Sequence, residues 1–131
     1  MQKVIISVED LSVQAELNDT YTAKKIFGAL PIEGTVNVWG DEIYFDIPLE
    51  LDLENAAGAE VEVGDLGYWP SGPAFCIFFG PTPVSRDEKP RAYSPVNIFG
   101  RIIGNSTRFK TVSNGSNIRV TRSEALSQVD L

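Results

Sequence analysis

The sequence predicts a mainly β protein, folded as one closed antiparallel barrel of about eight strands with two short helices. Apolar and polar residues alternate along most of the 131-residue chain, which is the period of half-buried strands. Turn-forming residues recur roughly every 8 to 12 residues, as in barrels and sandwiches. Because no repeat or linker divides the chain, residues 1–122 are expected to form a single domain, and residues 123–131 a disordered tail.

The first part of the chain predicts a β-hairpin followed by a helix. Val4–Val8 is rich in β-branched residues and Leu11–Leu17 alternates, with a Glu-Asp pair suited to the tight turn between them. Asn18, Asp19 and Thr20 are the N-cap candidates, and apolar residues after them recur at helical spacing until Pro31. We therefore expect a helix over Thr20–Ala29, since proline cannot continue it.

The middle of the chain predicts four strands, three of which contain acidic residues. GTVNVWG (34–40) and EIYFDI (42–47) flank a Gly-Asp turn, which predicts a hairpin. PLELDLE (48–54) and EVEVGD (60–65) also alternate, but pairing them as a simple hairpin would set carboxylates opposite one another. Either the two segments do not pair in this register, or a hard cation such as Ca²⁺ or Mg²⁺ lies between them. We favour charged edge strands and expect no metal site.

The segment GDLGYWPSGPAFCIFFG (64–80) predicts two apolar strands joined by a proline-braced turn. Cys76 lies within the second apolar run, so its thiol is expected to be buried and inert. Alternation along the second strand divides its side chains into two sets, Phe75, Ile77 and Phe79 against Cys76 and Phe78. The sequence does not decide which set faces the core.

The last third of the chain predicts a loop, a strand, a short helical segment and a final strand. Residues 81–95 contain four prolines and are expected to form a long irregular connection. Residues 95–103 predict a strand, in which Gly100 indicates a bulge or a close approach of another backbone. A short helical piece over 107–112 and a strand over 118–122 follow.

Charge and hydropathy exclude two classes of partner. The net charge is −7, and residues 26–85 contain ten acidic residues and no Lys or Arg. Such a surface repels a phosphate backbone, so no nucleic-acid partner is expected. No apolar run approaches the roughly 20 residues of a membrane span, and no membrane partner is expected.

The N-terminus lacks signal-peptide features and the chain has one cysteine, which favours a cytoplasmic location. The oligomeric state is left open.

The absence of histidine limits the chemistry of any site. It removes His-based metal centres, Ser-His-Asp and Cys-His nucleophile systems, and the commonest general base. The remaining acid–base candidates, Asp41, Glu42 and Asp46, are interpreted as turn and solvent-face residues. Ser85 and Ser94 are weak nucleophile candidates because no base is near them in sequence. No catalytic residue is assigned.

Aromatic residues on the outer face of the middle strands form the candidate binding site. If aliphatic side chains fill the interior, Trp39 and Tyr44 point outward with polar neighbours. Exposed Trp and Tyr favour recognition, because they offer a large area and a polar group at low entropic cost. The alternative interpretation is that a helix or loop covers them. The ligand-binding candidates are Asn37, Trp39, Tyr44, Trp69 and Phe78.

Three segments resemble the small prokaryotic cyclophilin-like proteins, a family of uncharacterised stand-alone domains. They are VNVWGDEIYF (36–45), GDLGYWPSGPAFCIFFGPTP (64–83) and SPVNIFGRI (94–102). The resemblance runs in the same order from the first strand to about Arg122, and the second segment is the most specific. It implies a cyclophilin-type barrel of eight antiparallel strands with a helix at each end.

The resemblance also implies what to expect of the function. Cyclophilins are peptidyl-prolyl isomerases, which lower a rotational barrier of about 18–20 kcal/mol with an apolar pocket and an arginine. The arginine belongs on the strand that resembles GTVNVWGDEIYF here, and that strand has no basic residue. We therefore expect a binding module for a peptide or a small apolar ligand, without efficient catalysis and without a cofactor. The alternatives are a diverged prolyl isomerase and a partner subunit of an amide-hydrolysing enzyme.

Overall fold

The computed structural model describes residues 2–123, which form ten strands, one α-helix and one 3₁₀ helix. The strands are β1 (Lys3–Val8), β2 (Leu11–Leu17), β3 (Ile32–Thr35), β4 (Asn37–Trp39), β5 (Glu42–Asp46), β6 (Gly58–Glu60), β7 (Asp65–Trp69), β8 (Ala74–Phe78), β9 (Arg91–Ile102) and β10 (Asn117–Arg122). The helix α1 spans Tyr21–Ala29, and the 3₁₀ helix spans Ser106–Thr111. The prediction of a mainly β protein is confirmed.

Antiparallel pairing joins the strands into one sheet. The hydrogen-bonded order is β3-β10-β1-β2-β9-β7-β8-β5-β4, and β6 pairs with β9 beside this path. The path has two ends, β3 and β4, which only Val36 separates along the chain. The described residues therefore form more strands than the eight expected, and the hydrogen bonding between them does not confirm a closed barrel.

The first hairpin and the helix form as the sequence predicts. β1 and β2 pair antiparallel, and Glu9 in the turn has a positive φ of 53°. Thr20 is the N-cap of α1, where its Oγ1 accepts a hydrogen bond from the amide of Ala23 at 3.1 Å. This bond satisfies one of the amides that have no partner within the helix.

The prediction of a strand at PLELDLE is wrong, because no strand pairs with the backbone of this segment. Its backbone instead bonds to side chains of β7 and β9. The hydroxyl of Tyr68 donates to the carbonyl of Leu49 at 2.7 Å and accepts from the amide of Leu51 at 3.0 Å. The amide of Glu54 donates to Oδ1 of Asn97 at 2.8 Å. The two acidic segments of the middle region therefore do not pair with each other, as one of the two interpretations held.

The long strand β9 begins earlier than the sequence predicts. Arg91 already pairs with β6, so the irregular connection is shorter than residues 81–95. The predicted close approach at Gly100 is confirmed, since a Cβ atom there would lie 2.5 Å from the carbonyl oxygen of Glu16 on β2. The register with β7 also shifts near Phe99, which marks a bulge or irregularity.

Two apolar clusters lie on opposite faces of β8. Phe75, Ile77 and Phe79 belong to the larger cluster, which also contains the buried face of α1. Cys76 and Phe78 belong to a smaller one. The alternation predicted for this strand is confirmed, and the larger core takes the first set. The buried members of the smaller cluster are Val61, Ala74, Cys76, Phe78, Ala92 and Val96.

Neither helix within residues 2–123 has the length and hydropathy needed to cross a bilayer. The disordered tail expected over residues 123–131 lies, from residue 124 onward, outside the described residues. The candidate functional site lies beside the smaller cluster, on the face of β5 and β8 that is turned away from the larger core.

Candidate functional site

A pocket of about 250 Å³ opens on the outer face of β5 and β8. Strands β4, β7 and β9 each contribute side chains to its wall. Its polar groups are few and its lining is mostly aromatic and aliphatic, which is typical of small-molecule sites. The lining residues are Trp39, Glu42, Tyr44, Trp69, Cys76, Ala92, Tyr93 and Val96, a set that we call the aromatic pocket.

Strand alternation explains which side chains reach the aromatic pocket. On β5, Ile43 and Phe45 are fully buried in the larger core, so Glu42 and Tyr44 point to the opposite face. Tyr44 lies directly opposite Cys76 in the pairing of β5 with β8. Two adjacent strands thus present one face to the core and the other to the pocket.

The ring of Tyr93 stands nearly at right angles to the indoles of Trp39 and Trp69. The ring of Tyr93 lies 6.2 Å from that of Trp39 and 6.2 Å from that of Trp69, measured between centroids. The interplanar angles are 74° and 83°, the edge-to-face geometry that aromatic pairs favour. Because Tyr93 is perpendicular to both indoles, the rings form walls rather than a stack.

The indole of Trp69 is held in place by two neighbours. Its Nε1 donates a hydrogen bond to Oγ of Ser94 at 2.6 Å. On the other side, Gly72 lies so close that a Cβ atom there would be 2.8 Å from Cζ3 of the indole. The ring orientation is therefore fixed by the protein itself.

Among the described residues, Glu42 is the only acid that lines the aromatic pocket, and no Lys or Arg lines it. Only 6% of Glu42 is exposed, and this burial raises its pKa to about 7, against a smaller opposing effect of a hydrogen bond with Cys76. Burial, together with the neighbouring charge of Glu42, raises the pKa of the Cys76 thiol well above its ordinary value. At neutral pH the carboxyl group can therefore both gain and lose a proton, while the thiol stays protonated.

A second buried carboxylate, Asp65, differs from Glu42 in its partners. Burial raises the pKa of Asp65, but a hydrogen bond from the amide of Glu62 at 2.8 Å and the positive charge of Arg101 oppose the effect. Asp65 thus has a structural role at the start of β7. Glu42 has no cation among the residues that line its pocket.

A second cavity, of about 270 Å³, lies between β6 and the loop that precedes β9. Its charged side chains pair with one another at the surface. Nζ of Lys89 lies 3.3 Å from Glu62, and Nη1 of Arg91 lies 3.4 Å from Glu60. The acids of both pairs and Lys89 are largely exposed, so this cavity is a solvated, charge-balanced region.

The structure brings three of the five predicted ligand-binding residues together. Trp39, Tyr44 and Trp69 all line the aromatic pocket. Asn37 is exposed and outside the lining, with its Nδ2 at 3.4 Å from the carbonyl of Tyr44. Phe78 is fully buried in the smaller cluster, where it packs among apolar residues and does not line the pocket.

Five residues of the pocket are missing from the sequence-based set: Glu42, Cys76, Ala92, Tyr93 and Val96. Of these, Glu42 and Tyr93 matter most for its chemistry. Glu42 was interpreted as a turn residue, although it is two positions from Tyr44 and strand alternation places both on one face. Tyr93 lies in the proline-rich segment that predicts an irregular loop, and its composition carries no signal for a strand. Among the described residues, no cluster of three or more Cys, Asp or Glu has an arrangement that could hold a metal ion.

The chain is similar to a known protein family and to solved structures. A family model described as cyclophilin-like matches residues 2–121. Among solved structures, the solution structure of a hypothetical protein from Archaeoglobus fulgidus is similar, with 38% sequence identity and a TM-score of 0.78. The match covers 93% of this chain and 95% of the archaeal chain. No curated protein matches significantly.

Proposed function

The chain belongs to the cyclophilin-like family, and from this premise we propose that it is a binding module without efficient catalysis. Its aromatic pocket takes a small ligand, or one side chain of an extended peptide. The observation that carries this proposal is the set of four aromatic side chains, from four different strands, that converge on one cavity. A core-filling role alone does not require them to leave that cavity open.

The orientation of the aromatic rings supports binding over simple exposure. Trp69 is held by Ser94 and Gly72, and it meets the ring of Tyr93 edge to face. A pocket that is ordered before the ligand arrives loses little side-chain entropy on binding. Pre-oriented aromatic side chains are also the usual anchors of binding energy.

The composition of the pocket argues against efficient prolyl isomerisation. The resemblance to cyclophilins implies an arginine beside the apolar pocket, and none of the lining residues of this pocket is basic. A protease-coupled assay with an Ala-Pro-Phe peptide tests this point. We expect the rate of isomerisation to equal the uncatalysed rate, and a clear acceleration that Trp69→Ala abolishes would establish the diverged isomerase instead.

Binding itself is tested by a fragment screen with amide NMR spectra. We expect apolar and aromatic fragments at millimolar concentration to shift the amide signals of β5, β8 and the start of β9. Trp69→Ala should weaken these shifts at least several-fold, because it removes one wall of the pocket. Tyr21→Ala is the matched control, since Tyr21 is an exposed aromatic residue on α1 outside the pocket. Shifts that are absent, or that survive Trp69→Ala unchanged, would refute the proposal.

A further inference from the structure

We propose that the ligand of the aromatic pocket carries an alkylated ammonium group, which the aromatic rings surround and for which Glu42 provides the counter-charge. This inference rests on the proposed binding function and names its ligand class. It follows from the combination of aromatic walls, one buried acid and the absence of any basic lining residue.

The aromatic walls suit a cation better than a neutral apolar group. A cation within about 6 Å of a ring face is attracted by the ring quadrupole, and the indole of Trp is the strongest such partner. The pocket has two indoles, Trp39 and Trp69, and two phenol rings, Tyr44 and Tyr93. The perpendicular arrangement of Tyr93 to both indoles gives walls on more than one side of a bound head group.

The single buried acid gives the pocket its charge preference. A neutral ligand that covers Glu42 would remove water from the carboxylate and supply nothing in return, which is costly. An anionic ligand would be repelled by it. An ammonium group restores a partner to the carboxylate inside a site of low polarity, where a charge pair is stronger than in water. Alkyl groups on the nitrogen match the apolar side chains of Ala92 and Val96.

The wider charge distribution favours the same ligand. Strands β4, β5, β7 and β8, which carry five of the eight lining residues, all lie within residues 26–85, the segment with ten acidic and no basic residues. The net charge of the chain is −7. Such a field raises the local concentration of cations and their rate of association.

Proton release from Glu42 should control the affinity. The titratable side chains that face it within the pocket are Tyr44 on its own strand, Cys76 on β8 and Tyr93 on β9. The Cys76 thiol stays protonated near neutral pH, because burial raises its pKa. Because burial raises the pKa of Glu42 to about 7, its ionised fraction grows through neutrality. Affinity for a cation should therefore rise about tenfold from pH 6 to pH 8.

The test compares choline with its uncharged isostere 3,3-dimethylbutan-1-ol by isothermal titration at pH 8. We expect choline to bind at least tenfold more tightly than the alcohol. Glu42→Gln should reduce this preference several-fold, because the carboxylate is lost and only the attraction of the aromatic rings remains. Asp46→Asn, which removes an exposed acid from the same face of β5, should leave it unchanged. The pH dependence of choline binding by the unaltered protein provides a measurement that does not depend on the folding of any variant.

The outcomes separate this inference from the proposed function. Equal affinity for choline and the alcohol would overturn the cation inference and leave the binding function standing. If choline fails to bind while neutral fragments bind the same pocket, the cation inference is again overturned and the binding function stands. If neither class binds, both proposals fail. A second arm compares a peptide containing trimethyl-lysine with its unmodified form, and tighter binding of the modified peptide than of choline would identify a protein side chain as the source of the ammonium group.

Discussion

Replacement of Glu42 by Gln should change how the stability of the protein depends on pH. In the unfolded chain the carboxyl group titrates near 4.5, whereas in the native state burial raises its pKa to about 7. Between these two values the native state holds a proton that the unfolded state has lost, so the free energy of unfolding falls as the pH rises. Each pH unit in this window costs about 1.4 kcal/mol, which sums to about 3 kcal/mol. Above pH 7 the loss is complete and constant.

Urea unfolding followed by circular dichroism, at intervals from pH 4.5 to pH 8.5, measures this effect. The informative quantity is the free energy of unfolding of Glu42→Gln minus that of the unaltered protein, since the other carboxyl groups cancel. This difference should grow by about 3 kcal/mol between pH 4.5 and pH 7 and then level off. Asp46→Asn, which removes an exposed acid from the same strand, is the matched control. A flat difference for Glu42→Gln, or one that falls with rising pH, would refute the assignment of Glu42 as a buried carboxyl group without a cationic partner.

Four other perturbations test the fold. Asn97→Ala leaves buried polar groups without partners and should lower the free energy of unfolding by roughly 2 kcal/mol or more in urea titrations; no loss would contradict its bridging role. Tyr68→Phe should cost about 1–3 kcal/mol and speed hydrogen exchange at the amide of Leu51, and unchanged exchange would contradict that contact. Phe75→Ala should cost about 3–5 kcal/mol by thermal unfolding, because the ring is fully buried; a loss below 1 kcal/mol would disagree. The thiol of Cys76 should react with a disulfide reagent at pH 8 only after unfolding, and rapid reaction in the native state would contradict its burial.

Strand faces could be predicted from the sequence because side chains alternate by a fixed geometric rule. Alternation placed Trp39 and Tyr44 away from the aliphatic core, and in the structure both line one pocket. The same rule places Glu42, two residues before Tyr44, on the pocket face of β5. The sequence nevertheless favours a solvated residue at this position, because an acid beside a turn is usually exposed. Only the neighbours of Glu42 on β4 and β8 bury it.

Strand partners could not be predicted in this way. PLELDLE alternates as a strand does, yet its backbone bonds to the side chains of Tyr68 and Asn97, which lie up to 45 residues away in sequence. Tyr93 lies in a strand only because β6 pairs with the start of β9. Such long-range contacts leave no local pattern, so the sequence could indicate part of the aromatic pocket but not its last wall.

The uneven distribution of charge along the chain has a consequence for how the fold assembles. Each ion pair among the described residues joins an acid from the early part of the chain to a base from the late part: Glu33 to Arg119, Asp41 to Lys110, Glu60 to Arg91 and Glu62 to Lys89. Two of these pairs are also register partners, in β3 with β10 and in β6 with β9. Exposed pairs of this kind contribute little to final stability. Their attraction acts earlier, while the chain is still unfolded. It draws the acidic early part of the chain toward the basic late part with which it pairs. Dissolved salt, which screens charges beyond about 10 Å at 0.1 M, would then slow the search for the correct topology more than it weakens the finished molecule.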